Sequence, residues 1–251
     1  MPIFVRDHDN QLWSPTPKAA GLFAGLHGGA VAGLLTGEVE SLAAKSGWGF
    51  ATSVAAWFIR PAPMAPMRTE IRILSSGGRV TVVDNVLRLP GQDEVIATAR
   101  VTLIKHRPLS LPEAADQPSI ADPTRLQAFS HPSPHGKPWF MDAMDVRVGP
   151  QAAWFRSLEP LIDGAGPLAR IVGPADWAHG IRRPAEQVAA DPNPNLTVHI
   201  SRPPVGDWLG IDAATTWRPD SGIGTGRGVL LDVEGEIGTV SMAVALAPLK
   251  R

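Results

Sequence analysis

His27-Gly28-Gly29 and Asp176 are the residues of this chain best suited to chemistry. The glycine pair lies within residues 19–37, where only His27 and Thr36 carry polar side chains. A helix that starts at such a pair offers free backbone N–H groups and the positive end of its dipole. With no side chains at Gly28 and Gly29, an oxygen that gains negative charge can come close to that main chain. Asp176 stands between apolar Ala175 and Trp177, an expensive place for a carboxylate unless it is paired. A carboxylate can take a proton from water or attack a carbonyl carbon itself. Plainer roles exist for both. His27 can cap its helix or be a buried, hydrogen-bonded ring, and Asp176 can cap a helix or bond to backbone at a helix surface.

Other chemistries lack their residues. Cysteine is absent, which removes disulfides, thiolate catalysis and Cys-based metal sites. There is no Gly-x-Ser-x-Gly elbow and no phosphate-binding loop of the Walker type. His131 and His135 have helical ligand spacing, but Pro132 and Pro134 sit around them, against a metal site. The formal charge of −1 leaves no basic excess for nucleic acid and no basic tract for an anionic membrane. Residues 19–37 approach the length of a membrane span, yet they are rich in Gly and Ala rather than large aliphatics, so a buried helix is expected and no membrane partner. The first residues show no charged-then-apolar signal pattern, which makes a cytoplasmic location the default.

The elements that must hold these residues come twice. In the first half, residues 21–45 read as a helix in which Gly25, Gly29, Gly33 and Gly37 share one face. Each glycine costs about 1 kcal/mol against alanine, a cost tolerated where a sheet or a ligand comes very close. Glu38 and Glu40 are expected at a solvated helix end. Strands are predicted over 52–59, 68–74, 79–89 and 95–105, the last two as an antiparallel hairpin. A Pro-rich linker follows, where Pro108, Pro112, Pro118, Pro123, Pro132, Pro134 and Pro138 forbid a regular element.

The second half begins with strand-like segments at 145–149 and 152–158. A helix over 167–180 is interrupted or restarted at Pro174, and strands are predicted at 196–201, 208–217, 226–233 and 237–246. Gly222, Gly224, Gly226 and Gly228 alternate, either as a strand face left bare for a close backbone or as a bulged turn. The runs before Arg60-Pro61 and Arg202-Pro203 are the clearest copies of each other, each preceded by a helix and followed by three strands. Three parts are expected: a repeat over 1–107, the linker over 108–140 and a second repeat over 141–251.

In this order the motifs resemble the double hot dog proteins of the thioesterase-like superfamily, those related to acyl-CoA thioesterase II. The first half carries His27-Gly28-Gly29-Ala30-Val31-Ala32-Gly33-Leu34-Leu35 and Phe58-Ile59-Arg60-Pro61. The second carries Leu168-Ala169-Arg170, Ala175-Asp176-Trp177, Asn195-Leu196-Thr197-Val198-His199-Ile200-Ser201-Arg202-Pro203-Pro204, Gly226-Arg227-Gly228 and Gly235-Glu236-Ile237-Gly238. The resemblance covers nearly all of the chain from Gly21 on. It implies an α+β fold: two fused helix-plus-antiparallel-sheet repeats that form one continuous sheet. It also implies hydrolysis of fatty acyl-CoA thioesters to free acid and CoA, with no cofactor beyond the coenzyme A of the substrate. The acyl chain is expected in an apolar tunnel between the helices. Further assembly into a homo-oligomer through the sheets is expected as well.

Site residues follow position by position. Single hot dog thioesterases with a similar His-Gly-Gly hold the thioester carbonyl on those amides, which implies Gly28 and Gly29 as catalytic and His27 at the substrate. Their helix carries an acid further on, where this chain has Thr36, and Thr36 and Asn195 are expected with His27 at the substrate. Asp176 from the second half is then the carboxylate that completes one composite site, provided it lies within about 8 Å of the Gly28 and Gly29 amides, one bridging water away. The triad of acyl-CoA thioesterase II is missing. Asn195 stands at its Asp, Trp217 or a neighbour at its Thr, and Met242 or Ala243 at its Gln. Asn195 can orient a water but cannot act as a base. None of the seven histidines has an Asp five residues before it, the pattern of hot dog hydratases. Arg60 and Arg202 can meet a CoA phosphate or simply tie down their strand ends. The alternative function is a catalytically weak acyl-CoA or acyl-carrier thioester-binding protein of the same fold.

Overall fold

A computed structural model describes residues 1–7, 9, 11–108, 120–133, 136–184 and 189–248. Pro112, Pro118 and Pro134 of the linker lie outside the described residues, as does His135 and with it the His131/His135 pair. The first half contains β1 (Phe4–Asp7), β2 (Leu12–Pro15), α1 (Gly28–Ser46), β3 (Phe50–Phe58), β4 (Arg68–Ser76), β5 (Val80–Arg88) and β6 (Ala97–Ile104). The second contains β7 (Gln127–Ala128), β8 (Met144–Val148), β9 (Ala153–Ser157), α2 (Pro167–Ala175), α3 (Ala178–Ile181), β10 (Ala189–Ala190) and β11 (Asn195–Ile200). It ends with β12 (Trp208–Arg218), β13 (Ile223–Asp232), β14 (Gly235–Ala245) and β15 (Ala247–Pro248).

Eleven strands form one sheet in the order β4-β5-β6-β3-β11-β14-β13-β12-β9-β8-β7. The halves join at β3 and β11, which run antiparallel with Val54 opposite Val198. These are the strands that lead into Arg60-Pro61 and Arg202-Pro203, so the repeated segment pairs with its own copy. The helices lie against the sheet, and one apolar core runs through both halves. This is the α+β double hot dog arrangement. No helix among the described residues is long and apolar enough to cross a membrane.

The central helix is enclosed. His27 caps α1 by accepting the Gly29 N–H on Nδ1 at 3.0 Å, and Gly47 ends it in the left-handed region at φ 63°. Every residue from 29 to 40 is buried, as befits a helix with no polar face. Glu38 and Glu40 are therefore not at a solvated end. Glu38 accepts from Trp13 Nε1 at 2.8 Å and from Asn85 Nδ2 at 3.1 Å. Glu40 accepts the backbone N–H groups of Leu168 and Ala169 at 2.8 and 2.9 Å, closing the first turn of α2. Pro167 starts that helix and has no N–H to satisfy.

The helix begins at Gly28 rather than near Gly21. Gly25 has φ +107°, and the chain doubles back there, with the Gly21 N–H on the Gly25 carbonyl and the His27 N–H on that of Ala19, both at 2.9 Å. The remaining stripe faces the second half. A Cβ at Gly29 would collide with the Gly173 carbonyl oxygen, one at Gly33 with Leu161 Cδ1, and one at Gly37 would lie 3.0 Å from Ile162 Cδ1. Small residues here let α1 meet α2 and its preceding loop.

Two further expectations change. Gly224, Gly226 and Gly228 stand in β13 itself, and a Cβ at Gly226 would lie 2.8 Å from that of His179, so α3 rests on a bare strand face. The Pro-rich linker is not wholly irregular. A 3-10 turn at Pro123–Arg125 precedes β7, which pairs with β8 at the sheet edge.

Gly29→Ala should destabilise the protein by on the order of 2 kcal/mol, because its methyl meets a carbonyl that moves only with α2. Gly37→Ala should be near neutral, since a side-chain methyl can yield and alanine favours the helix by about 1 kcal/mol. Urea unfolding of the two variants makes the comparison, and equal losses would refute the main-chain contact.

Candidate active site

Pro174 weakens the last turn of α2, because it has no N–H to give the Arg170 carbonyl. The helix stops at Ala175, the Trp177 N–H turns back to the Pro174 carbonyl at 3.0 Å, and α3 restarts at Ala178. Asp176 sits at this break, 3% exposed, and faces the start of α1. A Cβ at Gly28 would lie 2.9 Å from Asp176 Oδ2. Covalent geometry then puts the Gly28 amide nitrogen within about 5.5 Å of that oxygen. Asp176 is thus neither an N-cap nor a surface residue.

The other carboxylate oxygen is fixed. Asp176 Oδ1 accepts from Asn193 Nδ2 at 2.7 Å, and the same nitrogen approaches the Asn195 carbonyl at 3.1 Å. His27 lies alongside, its Nδ1 3.6 Å from Asp176 Oδ2. Its ring stacks on Phe140 at 4.4 Å and on Trp177 at 5.7 Å. Burial pulls the His27 pKa down to about 4 against the opposing pull of Asp176, with His179 adding to the lowering. The ring is therefore neutral at pH 7. Because Nδ1 accepts the Gly29 N–H, the ring proton belongs on Nε2. The contact with Asp176 is then no ion pair. The Gly29 amide is taken by His27, whereas no described residue accepts the Gly28 N–H.

A cavity of about 460 Å³ opens over these groups and is lined by His27, Gly28 and Asp176 among others. Thr36 and Asn195, expected at the substrate, lie elsewhere. Thr36 is fully buried two turns along α1 with its hydroxyl on the Ala32 carbonyl at 2.7 Å. Asn195 Oδ1 accepts the Ala243 N–H at 2.8 Å, which ties β11 to β14. Neither residue lines the cavity. Trp217 pairs across the sheet with Gly224 and Met242 with Gly226. Arg202 is bound to buried Asp232 and serves the scaffold, while Arg60 sits on the cavity rim 3.2 Å from Glu94. Among the described residues no group of three or more His, Asp or Glu could hold a metal.

Asn193 has no residue type or spacing that marks it as a site residue. Its only signal is its place in Asp191-Pro192-Asn193-Pro194-Asn195, where flanking prolines restrict the backbone and so fix the direction of one amide.

Models of the acyl-CoA thioesterase N-terminal and C-terminal domains match residues 16–104 and 106–242. The chain belongs to the acyl-CoA thioesterase family. Among solved structures it is similar to a conserved hot dog fold protein of unknown function from Alicyclobacillus acidocaldarius, with a TM-score of 0.74, 18% identity and coverage of 98% of this chain and 97% of that one. It is also similar to the acyl-CoA thioesterase II TesB2 of Mycobacterium marinum, with a TM-score of 0.68, 16% identity and coverage of 98% and 95%. No curated protein matches it. Within the acyl-CoA thioesterase family, then, this member places Asp176, held by Asn193, against the start of the opposite helix.

The depressed pKa of His27 has a measurable consequence. The unfolded ring takes up a proton near pH 6.5 and the folded ring only near 4, so acidification through that window favours unfolding. Glu40, whose carboxyl burial pushes up to about 7, acts in the opposite sense over the same range. Comparison with His27→Asn, which keeps a capping oxygen, isolates the histidine. Between pH 7 and 5 the wild type should lose on the order of 2 kcal/mol relative to that variant, read by urea unfolding at both pH values. Parallel behaviour would show that His27 is not buried neutral.

Proposed function

We propose that the protein hydrolyses acyl-CoA thioesters to free acid and CoA at one composite site built from both repeats. The observation that carries this reading is Asp176 Oδ2 in contact with Gly28 beneath the cavity. Asp176 acts as general base. It takes a proton from a water whose oxygen adds to the thioester carbonyl carbon. The Gly28 N–H and the positive end of α1 stabilise the oxyanion. Collapse of the tetrahedral intermediate breaks the C–S bond, and the Asp176 acid returns its proton to the leaving thiolate. Asn193 holds the other carboxylate oxygen and so sets the direction of the base. His27 acts through the main chain: it keeps the Gly29 amide and shapes the first turn. Asn195 and Thr36 are assigned to the scaffold, on the hydrogen bonds that occupy them.

One observation favours a second reading, a binding protein with weak or no turnover. Asn195, at the position of the thioesterase II aspartate, cannot act as a base, and its amide oxygen is engaged by β14.

A thiol-release assay over acyl-CoAs of varied length decides. Asp176→Ala should lower kcat at least 100-fold, the usual contribution of a general base. Asn193→Ala should lower kcat about tenfold with KM little changed, as expected of a group that only orients the base. Tight acyl-CoA binding without thiol release in the wild type would favour the second reading, and equal rates in wild type and Asp176→Ala would remove Asp176 from the mechanism.

A further inference from the structure

The cavity has two chemically different ends. Toward the first half its wall is apolar, formed by Leu22, Leu26, Val31, Phe58 and Ala97. Val31 lies one turn along α1 from Gly28, and Ala97 opens β6 opposite Phe58. Both are almost fully buried, at 2% and 1% exposure, and close the floor. Toward the second half the wall is mixed, with His179, Arg183, Asp191 and Asn193 set among Trp177, Pro192, Pro194 and Ala245. Arg183 Nε donates to buried Asp191 at 2.8 Å, which fixes the guanidinium at the wall. The reacting groups join the two ends: Gly28 packs on the Phe58 ring and Asp176 bonds to Asn193.

We propose that this cavity takes an acyl thioester in one direction, with the acyl chain on the floor of Val31 and Ala97 and the phosphate-bearing arm of coenzyme A leaving past Arg183. The inference rests on the thioesterase reading above and adds orientation and specificity to it. An alkyl chain is most stable where it loses contact with water on apolar walls. A guanidinium held at its Nε side suits phosphate oxygens, which it can meet with two parallel hydrogen bonds. Arg60 is the competing cation, but it is more than half exposed, is paired with Glu94 and stands beside Ile59 and Pro61.

The test compares kcat/KM for CoA thioesters of increasing acyl length with that for N-acetylcysteamine thioesters of the same acids, which lack the phosphates. Ala97→Leu should lower the ratio of long to short acyl chains at least tenfold, and Val31→Ala, which deepens the floor, should raise it. Arg183→Gln together with Asp191→Asn removes the cation without stranding a buried carboxylate. This pair should lower the preference for the CoA thioester about tenfold, and Arg60→Gln should lower it less. Length ratios unmoved by both floor variants would overturn the orientation, as would loss of the CoA preference through Arg60→Gln alone. If the wild type cleaves no thioester, the thioesterase reading fails, and the same variants are then compared by acyl-CoA affinity. The same pattern of shifts in affinity supports the orientation, and its absence overturns it.

Discussion

The arrangement depends on one contact, where the main chain of α1 meets the main chain of α2. The place of a Gly29 side chain is taken by the Gly173 carbonyl. Nothing bulkier than hydrogen fits between them, so the helices approach closely enough for the end of one to serve the start of the other. Asp176 follows α2 directly and reaches Gly28; Glu40 lies on α1 and reaches the amides of Leu168 and Ala169. The glycines in α1 each forgo about 1 kcal/mol of helix propensity. Their burial against the second half, and the β3–β11 pairing beside them, hold the two repeats as one body.

The exchange of carboxylates is reciprocal but unequal. Glu40 sits on the N–H groups of α2 and fills the space next to Gly166, where a Cβ would lie 2.5 Å from its carboxyl carbon. That helix start is closed by the protein itself. At the other start, α1 brings its own cap in His27, so Asp176 is not needed for capping. Asn193 holds it by one oxygen, the second lies beside Gly28 and His27, and the residue lines the cavity. Two equivalent positions of a duplicated fold have thus become one filled and one open, through the choice of Pro167 with a long acid in one case and His27 with a short acid in the other.

The legibility of this outcome varied with the range of the interaction. Strands and turns were readable to within a few residues because alternation and glycine turns are local signals. The break at Pro174 was readable for the same reason. The start of α1 was not, since the four-residue glycine period runs back through Gly25, whose positive φ belongs to a turn. Glu38 and Glu40 read as solvated because charge marks a residue for the surface, whereas the partners that bury them, Trp13, Asn85 and the amides of α2, are remote in sequence. The meeting of Asp176 with Gly28 was reached only through the resemblance, which says that one helix of each repeat contributes. Asn193 carried no type or spacing that marks a site.

A buried carboxylate normally costs several kcal/mol unless its hydrogen-bonding capacity is used. Asp176 uses one strong bond, to Asn193, and it gains the positive end of α1, whose first turn it touches. Neutral His27 offers it no compensating charge at pH 7. A carboxylate placed for stability alone would take the Gly28 N–H as Glu40 takes those of Leu168 and Ala169. Asp176 does not accept that N–H, and both residues line the cavity. An acid and an amide that do not bond each other stabilise the folded chain less than a direct bond would, and the hydrolysis proposed above asks for that pair, a base for the water and a donor for the carbonyl oxygen.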